Sequence, residues 1–448
     1  MKKLLLLLSV VAFQRTFSQT IIRRDPEITE MVTGVSADSL HAYIQQLVDF
    51  GTRNTLSTQT GPERGIVAAR NWVLKKFIEF GKASQGRLHA YIDTVTILPD
   101  GKRVDVPVLL GNVVAVLKGT DTADKRIFII SGHLDNMRSD VMDRSGDAPG
   151  ADDDASGVSA VLEAARNMSM HAFPATVIFV AVSGEEQGLL GSTFMADKAK
   201  KENWQIEAML NNDIIGSINS NETNITNNIQ VRVFSEGIPS YETEKNIKFI
   251  KYMGLENDSK SRQLARYVKE TGERYVDNLQ VVLVYRADRF LRGGDHLPFQ
   301  RNGFTAVRIT EMNENFTHQH QDVRMENGIQ YGDLISNIDF EYLRKNTAMN
   351  LSVLANLAKA PSVPLEATME VKNLSNSTLL SWKPPQQTIT AGYYVLVRET
   401  TSAVWQKKFY TKNTSMTLPY SKDNYFFGVQ SVSEDGNESL PVIPIPGK

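Results

Sequence analysis

Arg126-Ile-Phe-Ile-Ile-Ser131 runs straight into Gly132-His133-Leu134-Asp135, and the reading of this junction decides the fold. A short, continuous apolar run suits a strand buried on both faces, as in a parallel sheet covered by helices. Two further runs end in the same way. Thr176-Val-Ile-Phe-Val-Ala-Val182 leads into Ser183-Gly184-Glu185-Glu186, and Glu207-Ala-Met-Leu210 leads into Asn211-Asn212-Asp213. Asn112 to Leu117 reads as another strand. Helical spacing of apolar residues marks Asp38 to Phe50, Glu63 to Phe80, Ser156 to Met168 and Leu189 to Lys198, and a long helix is expected from about Ile338 to Ala358. Alternating strands and helices predict an α/β domain: a mostly parallel central sheet flanked by helices.

In open α/β sheets ligands bind outside the carboxyl ends of the strands. Three strand ends would therefore bring His133, Glu185, Glu186 and Asp213 to one crevice. Pro149-Gly-Ala-Asp152-Asp153-Asp154-Ala-Ser-Gly157 adds an acidic loop at a helix start on the same edge. Bare, such a loop repels itself, and a divalent cation relieves the repulsion. Taken singly, each group reads as a solvated turn, a helix start or an ordinary packing histidine. Their coincidence at strand ends points to metal. The chain has no cysteine, so a zinc site here must be made of His, Asp and Glu.

The last third adds Arg292-Gly-Gly-Asp295-His296-Leu-Pro-Phe299 and Phe316-Thr-His318-Gln-His320-Gln-Asp322. Of seven histidines, three fall here, while His41, His89 and His171 lie outside every cluster. Together these motifs resemble the zinc exopeptidase family that includes secreted bacterial leucine aminopeptidases and the glutamate carboxypeptidases. The likeness extends over about residues 36–358. It implies two zinc ions per chain, one held by His133, Asp153 and Asp213 and the other by Asp153, Glu186 and His318, with Asp153 bridging. His318 takes the last position because it stands four residues before Asp322; His320 is its rival. The resemblance further implies Glu185 as general base, which must lie beside the metals without binding them. It implies Asp135 as the residue that orients His133, His296 as a residue lining the site, and a cis peptide between Asp153 and Asp154. The substrates would be peptides, cut at a terminal bond and most simply at the amino end. A carboxypeptidase or dipeptidase of the same family is the nearest alternative, with Arg289, Arg292 and Arg308 available for a substrate carboxylate. A glutaminyl-cyclase-like acyl transferase, which uses one zinc, and a non-catalytic binding protein on the same fold are further alternatives. The full ligand set and the intact Glu185 oppose both.

With 448 residues, 41% of them hydrophobic, the chain can bury a large core and carry an accessory domain. A net charge of -2 gives no footprint for nucleic acid. Lys2 and Lys3 followed by the apolar run Leu4 to Phe13 read as an export signal over residues 1–19, too short to span a bilayer. The expected location is secreted or periplasmic, with no integral membrane segment. The catalytic domain is expected over residues 20–360. Pro361 and Pro364 mark a linker. Beyond it Thr378 to Trp382, Tyr393 to Glu399, Val404 to Tyr410 and Tyr425 to Val432 read as short strands. Their order resembles a fibronectin type III β-sandwich over residues 361–448, expected to act as a spacer or as a contact to a cell surface or carbohydrate.

Overall fold

The structure is a computed structural model that describes Thr20, residues 22–386 and residues 388–447. The expected export signal lies outside the described residues. Three helices open the fold: α1 (Pro26–Thr33), α2 (Ala37–Asp49) and α3 (Ile66–Gly81). Asp25 and Ser36 accept the first free amides of α1 and α2, the usual way a helix start is satisfied. Then come β1 (Leu88–Ile97), β2 (Val108–Leu117), β3 (Arg126–His133), α4 (Ala155–Met168), β4 (Thr176–Val182), α5 (Leu190–Lys201) and β5 (Gln205–Asn212). They are followed by β6 (Gln230–Phe234), α6 (Glu244–Tyr252), α7 (Lys260–Tyr275), β7 (Gln280–Val284), α8 (His296–Arg301) and β8 (Ala306–Glu311). A small hairpin of β9 (Arg324–Glu326) and β10 (Ile329–Tyr331) precedes the closing helix α9 (Phe340–Lys359).

Eight strands form one sheet in the order β1-β2-β4-β3-β5-β8-β6-β7. Pairs β3–β4, β3–β5, β5–β8 and β6–β7 are parallel, while β1–β2, β2–β4 and β6–β8 are antiparallel. The expected mostly parallel sheet is thus a mixed one with a parallel centre. The continuous apolar runs sit in that centre because both faces are covered. Phe128 and Ile130 of β3 pack on the face shared with α4 and α9, and Ile129 packs on the opposite face with Met195 of α5 and Phe299 of α8. Each such fully buried side chain contributes about 1.5–3 kcal/mol. At the edge, β1 alternates exposed and half-buried residues over most of its length. One close approach sets the site. A Cβ on Gly132 would come within 2.5 Å of the main chain at Gly157, so only glycine lets the start of α4 rest against the end of β3.

The C-terminal residues form two facing sheets. One has the order β15-β12-β11-β17, built from Ser415–Leu418, Thr378–Lys383, Leu365–Met369 and Ile445–Pro446; the other is β14-β13-β16, from Lys407–Thr411, Gly392–Glu399 and Tyr425–Val432. Leu380, Trp382, Val395, Val397, Phe427 and Val429 fill the space between them. This unit is seated on the α/β body. Buried Glu438 accepts from Asn356 of α9 at 3.2 Å and pairs with Arg274 of α7. Asn437 donates to Asp25 and Asn356, both at 3.0 Å. Arg398 pairs with Asp258 at 2.6 Å, both side chains almost wholly buried. Among the described residues no helix is long and apolar enough to cross a membrane.

Candidate metal centre

The carboxyl ends of β3, β4 and β5, with the start of α4, bring two groups of potential ligands together. In the first, Nε2 of His133 lies 3.0 Å from Asp153 Oδ1 and 3.8 Å from Asp213 Oδ1. In the second, Nε2 of His320 lies 3.0 Å from Asp153 Oδ2 and 3.3 Å from Glu186 Oε1. Within each group the candidate ligand atoms all lie within 4.8 Å of one another. Asp153 belongs to both, presenting one oxygen to each histidine. The expected His318 is not in either group; His320 takes its place. The physical reason is local. His320 adopts a left-handed backbone, with φ of 53°, which turns its ring inward, whereas Asp322 faces away to pair with Arg138 at 3.0 Å.

A layer of hydrogen bonds holds these groups in place. His133 Nδ1 meets the main-chain oxygen of Asp135 at 3.0 Å, while the Asp135 carboxylate stands 4.0 Å away. That carboxylate instead accepts from the amides of Gly184, Glu185 and Glu186 at 2.8, 3.2 and 3.1 Å. Asp135 therefore orients the Glu185–Glu186 turn with its side chain and His133 with its backbone, a correction to the expected role. Asp154 caps α4 and accepts from the His133 amide at 2.8 Å, and the peptide bond between Asp153 and Asp154 is cis. Asp333 accepts from the amides of Asp152 and Asp153 at 2.7–3.0 Å, fixing the acidic loop from below. Arg308, fully buried, reaches Asp213 at 2.9 Å. Ile214, next in the chain, has a φ of 60°, an uncommon conformation for a β-branched residue and the kind of backbone strain that accumulates at functional sites.

The electrostatics favour a cation. Burial alone would lower the basicity of His133, but Asp154, Asp153, Asp213 and Glu185 raise it well above the ordinary value. Burial likewise opposes protonation of His320, yet Glu186 and Asp153 bring it up to about 11. Burial, reinforced by Glu186, Asp213 and Asp295 against the pull of His133, holds the Glu185 carboxyl well above the carboxylate range. Glu186 Oε1 is buried and makes no hydrogen bond. A buried cluster in which Arg308 is paired with Asp213 while Asp153 and Glu186 face only imidazole rings is rich in carboxylate and fits a site for divalent metal. The donor set of imidazole and carboxylate, without thiolate, suits zinc.

The centre opens into a cavity of about 310 Å³ lined by Glu185, Leu189, Arg103, Arg289, Leu291 and Arg292 together with the candidate ligands. His296 does not line it. Its ring is buried at the start of α8, where Nε2 donates to the Ala287 carbonyl at 2.8 Å and supports the 286–293 loop. Arg308, expected to be available for a substrate carboxylate, is instead buried against Asp213, and this role, like those of Asp333 and the Asp135 carboxylate, escapes a reading of the sequence. These groups approach the site through the fold, and no spacing motif marks them.

A family model, Peptidase family M28, matches residues 112–337. The chain is 42% identical over 424 residues to a probable zinc metalloprotease of Leptosphaeria maculans, covering 94% of this chain and 98% of that protein. Among solved structures it resembles the LapA aminopeptidase of Legionella pneumophila, with a TM-score of 0.54, 19% identity and 81% of each chain covered. It also resembles the glutaminyl cyclase of Porphyromonas gingivalis, with a TM-score of 0.50 and 19% identity, covering 72% of this chain and 98% of that one. At such identities the two structures speak for the fold alone. The fold, the paired ligand groups, the family match and the full-length relative agree, and the chain belongs to peptidase family M28.

Proposed function

We propose that the protein is a zinc-dependent exopeptidase that removes residues from the amino end of peptides, and that residues 1–19 direct its export. The observation that carries the reading is the placement of Glu185. Its carboxylate faces the cavity next to two ligand groups that share Asp153, and it belongs to neither group. His133, Asp153 and Asp213 would hold one zinc ion, and Asp153, Glu186 and His320 a second. Bound zinc supplies a Lewis acid for the scissile carbonyl and lowers the pKa of bound water to about 7. Glu185 takes the proton from the attacking water and returns it to the leaving amine. Its position in a partly enclosed, acid-rich cavity suits a carboxylate of raised pKa, which can hold that proton between the two steps. Asp135 keeps Glu185 and Glu186 on their separate tasks by fixing both amides. The shared Asp153 supports the two-metal hydrolytic reading over a one-metal acyl transfer. The C-terminal sheets fit a fibronectin type III-like unit that braces α7 and α9.

The test is a panel of aminoacyl and carboxyl-terminal peptide substrates, run after chelation and again after zinc re-addition. Release of single amino-terminal residues, lost on chelation and restored by zinc, is the expected result. Turnover that survives complete chelation would reject the metal role, and release from the carboxyl end alone would reject the aminopeptidase reading. Glu185→Gln is expected to retain zinc while kcat falls by at least about 10²-fold.

A further inference from the structure

A second cavity of about 470 Å³ adjoins the metal centre and shares Arg289 and Arg292 with its cavity. The segment 286–292 forms the wall between them: Leu291 lines the metal side and Phe290 the other. Two of the arginines in this groove are already satisfied. Arg232 and Arg289 both pair with Glu314, at 2.7 and 2.8 Å, and Arg289 also pairs with Asp288 at 3.4 Å. The other two differ. Arg286 and Arg292 are exposed, and neither forms an ion pair with a carboxylate among the described residues. Arg286 stacks on Phe290, 4.1 Å from the ring centre, and Arg292 lies 3.3 Å from Nδ1 of His320. Phe290 is 78% exposed and Phe316 is 52% exposed, an unusual outlay of aromatic surface beside a cavity.

We propose that this groove is a substrate subsite for a carboxylate carried on the peptide within a residue or two of the bond that is cut, with neighbouring apolar atoms resting on Phe290 and Phe316. The proposal deepens the exopeptidase reading and rests on it for the identity of the occupant. Three observations carry it. The groove is continuous with the metal-centre cavity. Its unpaired charges are guanidinium groups, whose planar donor fork matches a carboxylate. The path from cutting site to anion site is short, because Arg292 touches His320 and His320 touches Asp153 and Glu186. A carboxylate reaching Arg292 would also stand apart from the buried acids of the centre, which would repel it anywhere deeper. The carboxylate can come from an acidic side chain or from the terminus of a short peptide, and the two sources are separable.

The experiment measures Kd for two matched peptide pairs on zinc-loaded Glu185→Gln protein, and kcat/KM for the same peptides on zinc-loaded wild type. The first pair is Leu-Asp-Ala-amide against Leu-Asn-Ala-amide; the second is Leu-Ala as free acid against Leu-Ala-amide. The acidic member of at least one pair is expected to bind about fivefold more tightly, with the preference shrinking at high salt. Preference in the first pair alone assigns a side-chain carboxylate, in the second alone a terminal one, and in both a carboxylate in either position. The ratio is expected to fall toward one in Arg286→Gln and in Arg292→Gln. Equal Kd within both pairs overturns the proposal, as does a preference unchanged in both arginine variants. Carboxylate preference in binding without hydrolysis by wild type would leave the subsite standing and remove the exopeptidase reading; hydrolysis without preference would do the reverse.

Discussion

Asp135→Asn isolates the turn that separates general base from ligand. The aspartate carboxylate receives three amides, from Gly184, Glu185 and Glu186, and the side chain is fully buried. Asparagine has almost the same shape but only one acceptor oxygen. That oxygen can serve Gly184 and Glu185, and the side-chain amide then confronts the amide of Glu186, donor against donor. An unsatisfied buried donor costs about 1–3 kcal/mol, and loss of charge weakens the two remaining bonds, so the total is about 2–4 kcal/mol. The same distortion moves Glu186, and with it Glu185. Zinc affinity at the His320 group and kcat are each expected to fall about 10–100-fold. The His133 group is expected to change little, because His133 Nδ1 bonds the main-chain carbonyl at position 135, which the variant keeps. Zinc competition against a chromophoric chelator, kcat at saturating peptide and the midpoint of urea unfolding give the three readouts. A variant with kcat and both zinc affinities within twofold of wild type, and an unchanged midpoint, would refute the reasoning. A selective loss of the His133 site would refute the division of labour between side chain and backbone.

Other outcomes follow from the same structure. His320→Ala is expected to bind one zinc per chain and lose most activity, whereas His318→Ala should keep both metals; metal analysis of the two proteins decides which histidine is the ligand. Asp333→Asn is expected to lower zinc affinity about 10–100-fold through the loosened 152–153 amides, and an unaltered affinity would show that the loop holds itself. Glu438→Gln should destabilise the whole chain by about 3 kcal/mol at neutral pH by leaving Arg274 only the more distant Glu270 carboxylate, 3.8 Å away. Burial alone would raise the Glu438 carboxyl, but Arg274 and Lys408 bring it down to about 2 from 4.5. A depressed folded-state pKa gives stability that is present above 4.5 and lost as pH falls toward 2, so the gap between wild type and variant should narrow over that window. Denaturant titrations in which the gap stays constant or widens on acidification would contradict the pairing.

Much of the centre was legible in the sequence because most of its ligands sit where a continuous apolar run stops. His133 closes β3, and Glu186 and Asp213 follow β4 and β5, so strand ends account for three of the five candidate ligands, while Asp153 comes from the acidic loop before α4. The fifth was ambiguous for a physical reason. His318 and His320 lie in one turn, and a left-handed residue decides which ring points inward; spacing to Asp322 carries no information about that. Supporting residues were hidden for another reason. Asp333 and Arg308 reach the site from 180 residues beyond Asp153 and from β8, through contacts that only the folded topology creates. The edge strands β1 and β7, and the short β6 beside β7, were also missed in the sequence, since their half-exposed or five-residue patterns lack the long apolar runs of the centre. The seating of the C-terminal sheets likewise depends on single polar residues, Asn437 and Glu438, in a turn that reads as ordinary surface.

Anomalous diffraction at the zinc absorption edge, from crystals of zinc-loaded protein, tests the paired ligand groups most directly. Two peaks are expected, one contacting His133 and Asp213 and the other Glu186 and His320, with Asp153 touching both. A single peak, peaks elsewhere, or a second peak bound by His318 would contradict the account.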